Sequence, residues 1–198
     1  MKSSQKLIKI AVIQLTSTSS PESNFKAISS YITQASEGGA QMAFLPENFH
    51  FIRSSKEKPM LFEPITGPII SSYKALAKAH KIWLSLGGFQ EQTSFSPKIF
   101  NSHLIIDDKG DVQAVYRKVH LFDVEIDAQN TMKESQFVEP GECTPIVTES
   151  PLGLIGLSIC YDIRFPELYR QFVQKNHFIF FLTYPCFHSS VENLSIFL

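Results

Sequence analysis

"SICYDIRFPELYR", residues 158–170, begins as the end of an apolar run and turns charged within two positions. Upstream, "LGLIGLSIC" (152–160) reads as a buried strand. Downstream, "PELYRQFVQK" (166–175) reads as a helix, because Pro166 suits a first helical position. Cys160 stands at the changeover. It is either a small residue that ends a strand or a group placed there to react.

The same alternation runs outward along the chain. "KIAVIQL" (9–15) and "AQMAFLPE" (40–47) read as buried strands around a helix opened by Ser20 as N-cap and Pro21, and stopped by Gly38-Gly39. Phe25, Ile28, Ile32 and Ala35 give that helix one apolar stripe at steps of three and four. An irregular stretch around "RSSKEKP" precedes a second helix over 68–81, and "IWLSLGGF" follows as a strand. "IFNSHLIID" and "VQAVYRKVHL" flank Asp108-Lys109-Gly110 as a hairpin. Residues 123–142 show no period and read as a functional loop, and "FIFFLTYP" reads as a last buried strand. Strands alternating with helices, with one hairpin, predict an α/β layered domain with a mixed sheet.

Composition excludes several classes of function. A chain of 198 residues, 43% hydrophobic and 19% charged, suffices for one domain with a substantial core, and 17 Phe against one Trp suit a filled interior. A formal net charge of -1 gives no electrostatic case for nucleic acid or an anionic membrane. No apolar run approaches the roughly 20 residues that span a bilayer. The N-terminus alternates as a strand does and lacks a small-residue cleavage site, so no signal peptide is expected. Cys143, Cys160 and Cys186 form neither a metal spacing nor an even disulfide set. That favours a reducing compartment, with the cytoplasm as the expectation. No GxGxxG fingerprint and no P-loop occur, so neither a metal nor a cofactor is expected.

Glu47, Lys118 and Cys160 each lie near the C-terminal end of an expected strand, where open α/β sheets place their ligands. Taken singly each has a plainer reading: Cys160 as inert core, Glu47 as the start of a loop, Lys118 as a side chain reaching out from a sheet edge. Taken together they suit acyl transfer. A glutamate takes the thiol proton and later activates water, while a lysine and the Tyr161 backbone N–H stabilise the oxyanion. "GLSIC" is not a nucleophile elbow, because Cys160 stands where the second glycine belongs. A Cys186/His188 pair has little support from spacing, and His120 reads as a hydrogen-bonded structural histidine sharing the face of Lys118.

"FLPENF", "YRKVHLFD" and "ICYDIRFPELYR" together resemble the carbon–nitrogen hydrolase (nitrilase) superfamily, with all three motifs in family order. The resemblance implies a four-layer α-β-β-α sandwich, with Glu47 as general base, Lys118 as oxyanion stabiliser and Cys160 as nucleophile. It adds Glu134 as a positioning glutamate; Asp162 and Arg164 are expected to brace the turn or to bind substrate. "WLSLGGF", "KVHLFDVEI" and "RFPEL" look most like the Nit1 branch of deaminated glutathione amidases, with the Nit2-like ω-amidases as the nearest competitor. The implied partners are a small amide and water, not nucleic acid or membrane, and the resemblance leaves a homodimer open.

Against that family pattern, the chain is expected to divide into a tail (1–6), a truncated hydrolase domain (7–187) and a divergent tail (188–198). Relatives continue beyond "TYPCF" through a further substrate-facing segment, helices and strands. The alternatives are therefore a truncated, catalytically silent fragment or a noncatalytic binding module on the same scaffold, and little activity is expected of the 198 residues alone.

Overall fold

The computed structural model describes residues 7–52, 61–125, 131–174 and 193–197. Its first strand, β1 (Ile10–Gln14), leads into helix α1 (Pro21–Glu37), whose Ser20 side chain accepts the Ser23 N–H as N-cap. Gly39, at φ 79°, releases the chain in the left-handed region into β2 (Met42–Leu45). Helix α2 (Pro68–His80) is followed by β3 (Trp83–Glu91), β4 (Phe100–Ile106) and β5 (Val112–Arg117). At the β4–β5 turn the Asp107 carboxylate accepts the Lys109 and Asp111 N–H groups, both at 2.9 Å. Gly110 supplies the positive φ there.

These strands form one mixed sheet. β1, β2 and β3 run parallel, and β4 and β5 continue antiparallel. The period of two sorts their side chains between two cores. On one face Ala11, Ile13, Ala43, Leu45, Leu84 and Leu104 meet Ile28 and Ile32 of α1 and Ile70, Tyr73 and Ala77 of α2. On the other face Met42, Phe44, Ile105 and Tyr116 meet Ile155, Leu157, Ile159, Leu168 and Phe172.

That second core carries the remaining layers. β8 (Val147–Ser150) and β9 (Gly153–Gly156) pair as a hairpin, and helix α3 (Pro166–Gln174) packs outside them. A Cβ at Gly156 would lie 3.0 Å from the Phe172 ring, so a glycine there lets α3 sit close. Helices, sheet, hairpin and helix make the expected α-β-β-α order.

Three expectations change. The segment 123–142, read as a functional loop, carries short regular elements. It holds a ribbon of β6 (Asp123–Glu125) and β7 (Thr131–Lys133), a 3-10 turn at Glu134–Gln136, and a parallel bridge from Val138 to Ile99. The strand expected to run to Cys160 stops its ladder at Gly156, and Cys160 opens a 3-10 turn, Cys160–Arg164. β8 was not expected. In addition, β10 (Asn193–Phe197) pairs antiparallel with β1 and covers its edge. The expected strand at 178–185, the irregular stretch at 53–59, the 1–6 tail, Cys186 and His188 lie outside the described residues.

Candidate active site

β2 and β5 both end at the same edge of the sheet, and β4 starts there, which brings Glu47, Lys118 and Asn101 together. Glu47 follows Pro46 just beyond β2. The next residue, Asn48, turns the chain at φ 58° and donates its N–H to the Gly88 carbonyl at 2.9 Å. Glu47 is thereby held against β3 at a residue without a side chain: a Cβ on Gly88 would lie 2.8 Å from Glu47 Cγ.

Lys118 follows β5 directly and is 2% exposed. Its N–H donates to the Asn101 carbonyl at 2.8 Å, and its own carbonyl accepts the Gly141 N–H at 2.9 Å. Nζ donates to Glu47 Oε1 at 3.1 Å and to Glu134 Oε2 at 2.9 Å. Glu134, from the 3-10 turn after β7, also accepts the Phe122 N–H at 2.6 Å. Burial works against the Lys118 ammonium, but the charges of Glu47, Glu134 and Cys160 outweigh it and hold its pKa above the ordinary value.

Cys160 sits in the left-handed region at φ 45°. For a residue with a Cβ this backbone is sparsely populated and persists only where the surroundings fix it. The fixing group is Asp162, which is fully buried. Its Oδ2 accepts the Ile159 N–H at 2.9 Å and the Tyr116 hydroxyl at 2.7 Å; its Oδ1 accepts the His120 N–H at 3.0 Å and His120 Nδ1–H at 2.7 Å. One carboxylate therefore ties the cysteine turn to the segment carrying Lys118. The His120 ring stacks on Phe165 at 3.8 Å, and Tyr161 packs edge-on against Phe122 and Phe165.

The thiol itself is protonated at neutral pH. Burial pushes the Cys160 pKa up to about 12; the Glu47 charge and its hydrogen bond to the thiol add to this, and Lys118 opposes it. Such a thiol reacts only if a neighbour takes its proton, and Glu47 is the carboxylate that acts on it most strongly.

Glu47, Lys118, Cys160 and Glu134 thus form one cluster, with Asp162 beneath it. Arg164 ends the same 3-10 turn and is exposed. Asn101, which donates from Nδ2 to Glu47 Oε1 at 2.6 Å, was not expected. Its signal was an amide inside the apolar run of β4. A separate cavity of about 660 Å³, lined by Phe95, Phe100, Arg117, Glu139 and Glu142, contains none of the cluster.

His103 joins the two layers below the site. Its Nδ1–H donates to the Ser158 carbonyl at 3.0 Å, so Nε2 accepts from the Ser85 hydroxyl at 2.7 Å. Burial lowers its pKa to about 4, against the Ser158 hydrogen bond and the Asp162 charge, which raise it. Burial also lowers His50 to about 4. Below the unfolded value of about 6.5 the unfolded chain takes up these protons and the folded one does not. Stability is therefore expected to fall as the pH drops from about 6.5 to about 4, by on the order of 2–3 kcal/mol per histidine. Urea unfolding across that range measures it, and His103→Gln is expected to flatten the slope. An unchanged slope would show that His103 is not the titrating group.

Residues 9–192 match the carbon-nitrogen hydrolase family. The chain belongs to that family. A Mus musculus protein named deaminated glutathione amidase is 44% identical over 186 residues, 92% of this chain and 57% of that protein. The chain therefore spans a little over half the length of this curated relative. The crystal structure of the C. elegans NitFhit protein matches with a TM-score of 0.72 at 40% identity, covering 81% of this chain and 40% of that one. A mutant of the amidase from Nesterenkonia sp. AN1, with the acetamide moiety of fluoroacetamide added covalently at its active site cysteine, matches with a TM-score of 0.66 at 26% identity, covering 82% and 59%. Among the described residues no helix is long and apolar enough to cross a membrane.

Proposed function

We propose that this chain carries the catalytic cluster of a thiol amidase acting on a small oxo-acid amide of the deaminated glutathione type. The observation that carries the reading is Lys118 Nζ joining Glu47 and Glu134, with the charges of both carboxylates and of Lys118 acting on the Cys160 thiol. The mouse relative's name supports the substrate class, and the bacterial adduct supports a cysteine nucleophile.

In this mechanism Glu47 takes the Cys160 proton as sulfur attacks the amide carbon. An ammonium has three donors. Lys118 Nζ bonds Glu47 Oε1 and both Glu134 oxygens, and it turns one donor from the longer Glu134 Oε1 bond at 3.2 Å to the oxyanion, with the Tyr161 N–H as a second donor. The protonated Glu47 then gives its proton to the departing nitrogen, the C–N bond breaks, and ammonia and a thioester result. Water, deprotonated by Glu47, attacks the thioester; the acid leaves and the thiolate regains its proton from Glu47.

Ammonia release from deaminated glutathione and from α-ketoglutaramate, assayed in parallel, tests the substrate class. Faster turnover of the first is expected, and faster turnover of the second would favour the ω-amidase reading. A folded protein that released ammonia from neither would support the catalytically silent alternative. Since the reaction is assigned wholly to groups of the chain itself, activity is expected to survive a chelator and to be lost on alkylation of Cys160. Loss to chelator that added metal restores would overturn that assignment.

A further inference from the structure

Two carboxylates share one ammonium at this site, and a second, uncharged group also joins them. Asn101 Nδ2 donates to Glu47 Oε1 at 2.6 Å and reaches Glu134 Oε1 at 3.3 Å. Its Oδ1 is buried and has no hydrogen-bond partner among the described residues. A buried acceptor left unpaired is unfavourable, so the amide is held this way round by what its nitrogen does. Turning it over would set Oδ1 against two carboxylates. Asn101 and Glu47 pack together over Gly88, where a Cβ would meet Asn101 Oδ1 and Glu47 Cγ, each at 2.8 Å. The Asn101 backbone is also fixed, since its carbonyl accepts the Lys118 N–H at 2.8 Å.

The donors on Glu47 are therefore one-sided. Oε1 receives both Lys118 Nζ at 3.1 Å and Asn101 Nδ2 at 2.6 Å. We propose that Asn101 is a positioning residue that occupies Glu47 Oε1 and so assigns Oε2 to the Cys160 proton. The inference rests on the reading of Glu47 as general base. Asn101 supplies a donor without adding a second cation, which would draw the carboxylate away from the thiol. The groups facing this carboxylate are Lys118 after β5, Glu134 in its 3-10 turn, Asn101 on β4 and Cys160.

The test is the rate of Cys160 alkylation by iodoacetamide, followed on the peptide carrying Cys160 so that the other cysteines do not contribute, together with kcat and KM for ammonia release. In Asn101→Ala, alkylation near neutral pH is expected to fall about tenfold and to approach the wild-type rate only at high pH, where base assistance is unnecessary. kcat should fall by about tenfold to a hundredfold with KM within about threefold, because the loss is in proton transfer. Ser102→Ala, next on β4 and bonded to Glu91 at 2.6 Å, is the control for a purely structural change and should alkylate normally. Asn101→Ser, too short to reach either carboxylate, carries the test if the alanine variant does not fold. Normal alkylation and kcat in a folded Asn101 variant, with both collapsed in Glu47→Gln, would overturn this inference alone. Normal alkylation in Glu47→Gln would overturn the general-base reading beneath it.

Discussion

Cys160→Ala is expected to lower amide turnover by about four orders of magnitude or more, the scale on which removing a nucleophile acts. No other described group can replace it. Lys118 is charged and held by two carboxylates, and His120 is bound to Asp162 and stacked on Phe165. The fold should survive, because the substitution removes one sulfur from a partly exposed position and keeps a Cβ at the same φ of 45°. Cys160→Ser is expected to be nearly as inactive, since a hydroxyl is a far weaker acid than even this raised thiol. Ammonia release and thermal melting, measured on the same preparations, decide the matter. A folded Cys160→Ala protein with more than about a hundredth of wild-type turnover would remove the cysteine from its proposed role.

Three of the cluster's four members were visible in the sequence because each follows an apolar run. A charged residue or thiol just beyond a strand leaves a trace in one dimension. Glu134 leaves none: it sits in a polar segment without period, and only the family resemblance singled it out. Asn101 was hidden differently. It lies in "FNSHLII", a strand buried throughout, beside two more polar residues, Ser102 and His103. What distinguishes it is convergence with carboxylates 54 and 33 positions away, and local pattern carries no information about that distance.

For the fold, the same contrast holds between long and short elements. α1 was legible because its caps, its proline and its stripe agree, and each is a local signal. Of the β8–β9 hairpin only the second strand was read, within 152–160, and β8 was missed. "VTES" has three polar residues in four and so shows no apolar run, while "GLIG" is apolar because it packs beneath α3. The three-residue strands β6 and β7 are too short to show any period, and their pairing of Val124 with Met132 is set by the ribbon as a whole.

Asp162→Ala is expected to destabilise the protein by about 3–5 kcal/mol, as large an effect as breaking a buried ionic network gives. The carboxylate is 0% exposed and accepts from four donors: the Ile159 and His120 N–H groups, the Tyr116 hydroxyl and His120 Nδ1–H. Alanine leaves all four facing a cavity too enclosed for water to replace every bond, and each buried donor left unpaired costs about 1–3 kcal/mol. Asp162→Asn should lose less. Its remaining oxygen still serves one pair of donors, but its NH2 must face the other pair donor to donor. The functional consequence follows from the same geometry. Without the bond from Ile159 N–H, little holds Cys160 in its left-handed conformation, so peptide-resolved alkylation of Cys160 should take on the pH dependence of an ordinary thiol. Urea unfolding at neutral pH measures the stability. A loss below about 1 kcal/mol for Asp162→Ala would mean that the turn is held by its backbone alone, and that the buried carboxylate does not link the nucleophile to the lysine segment.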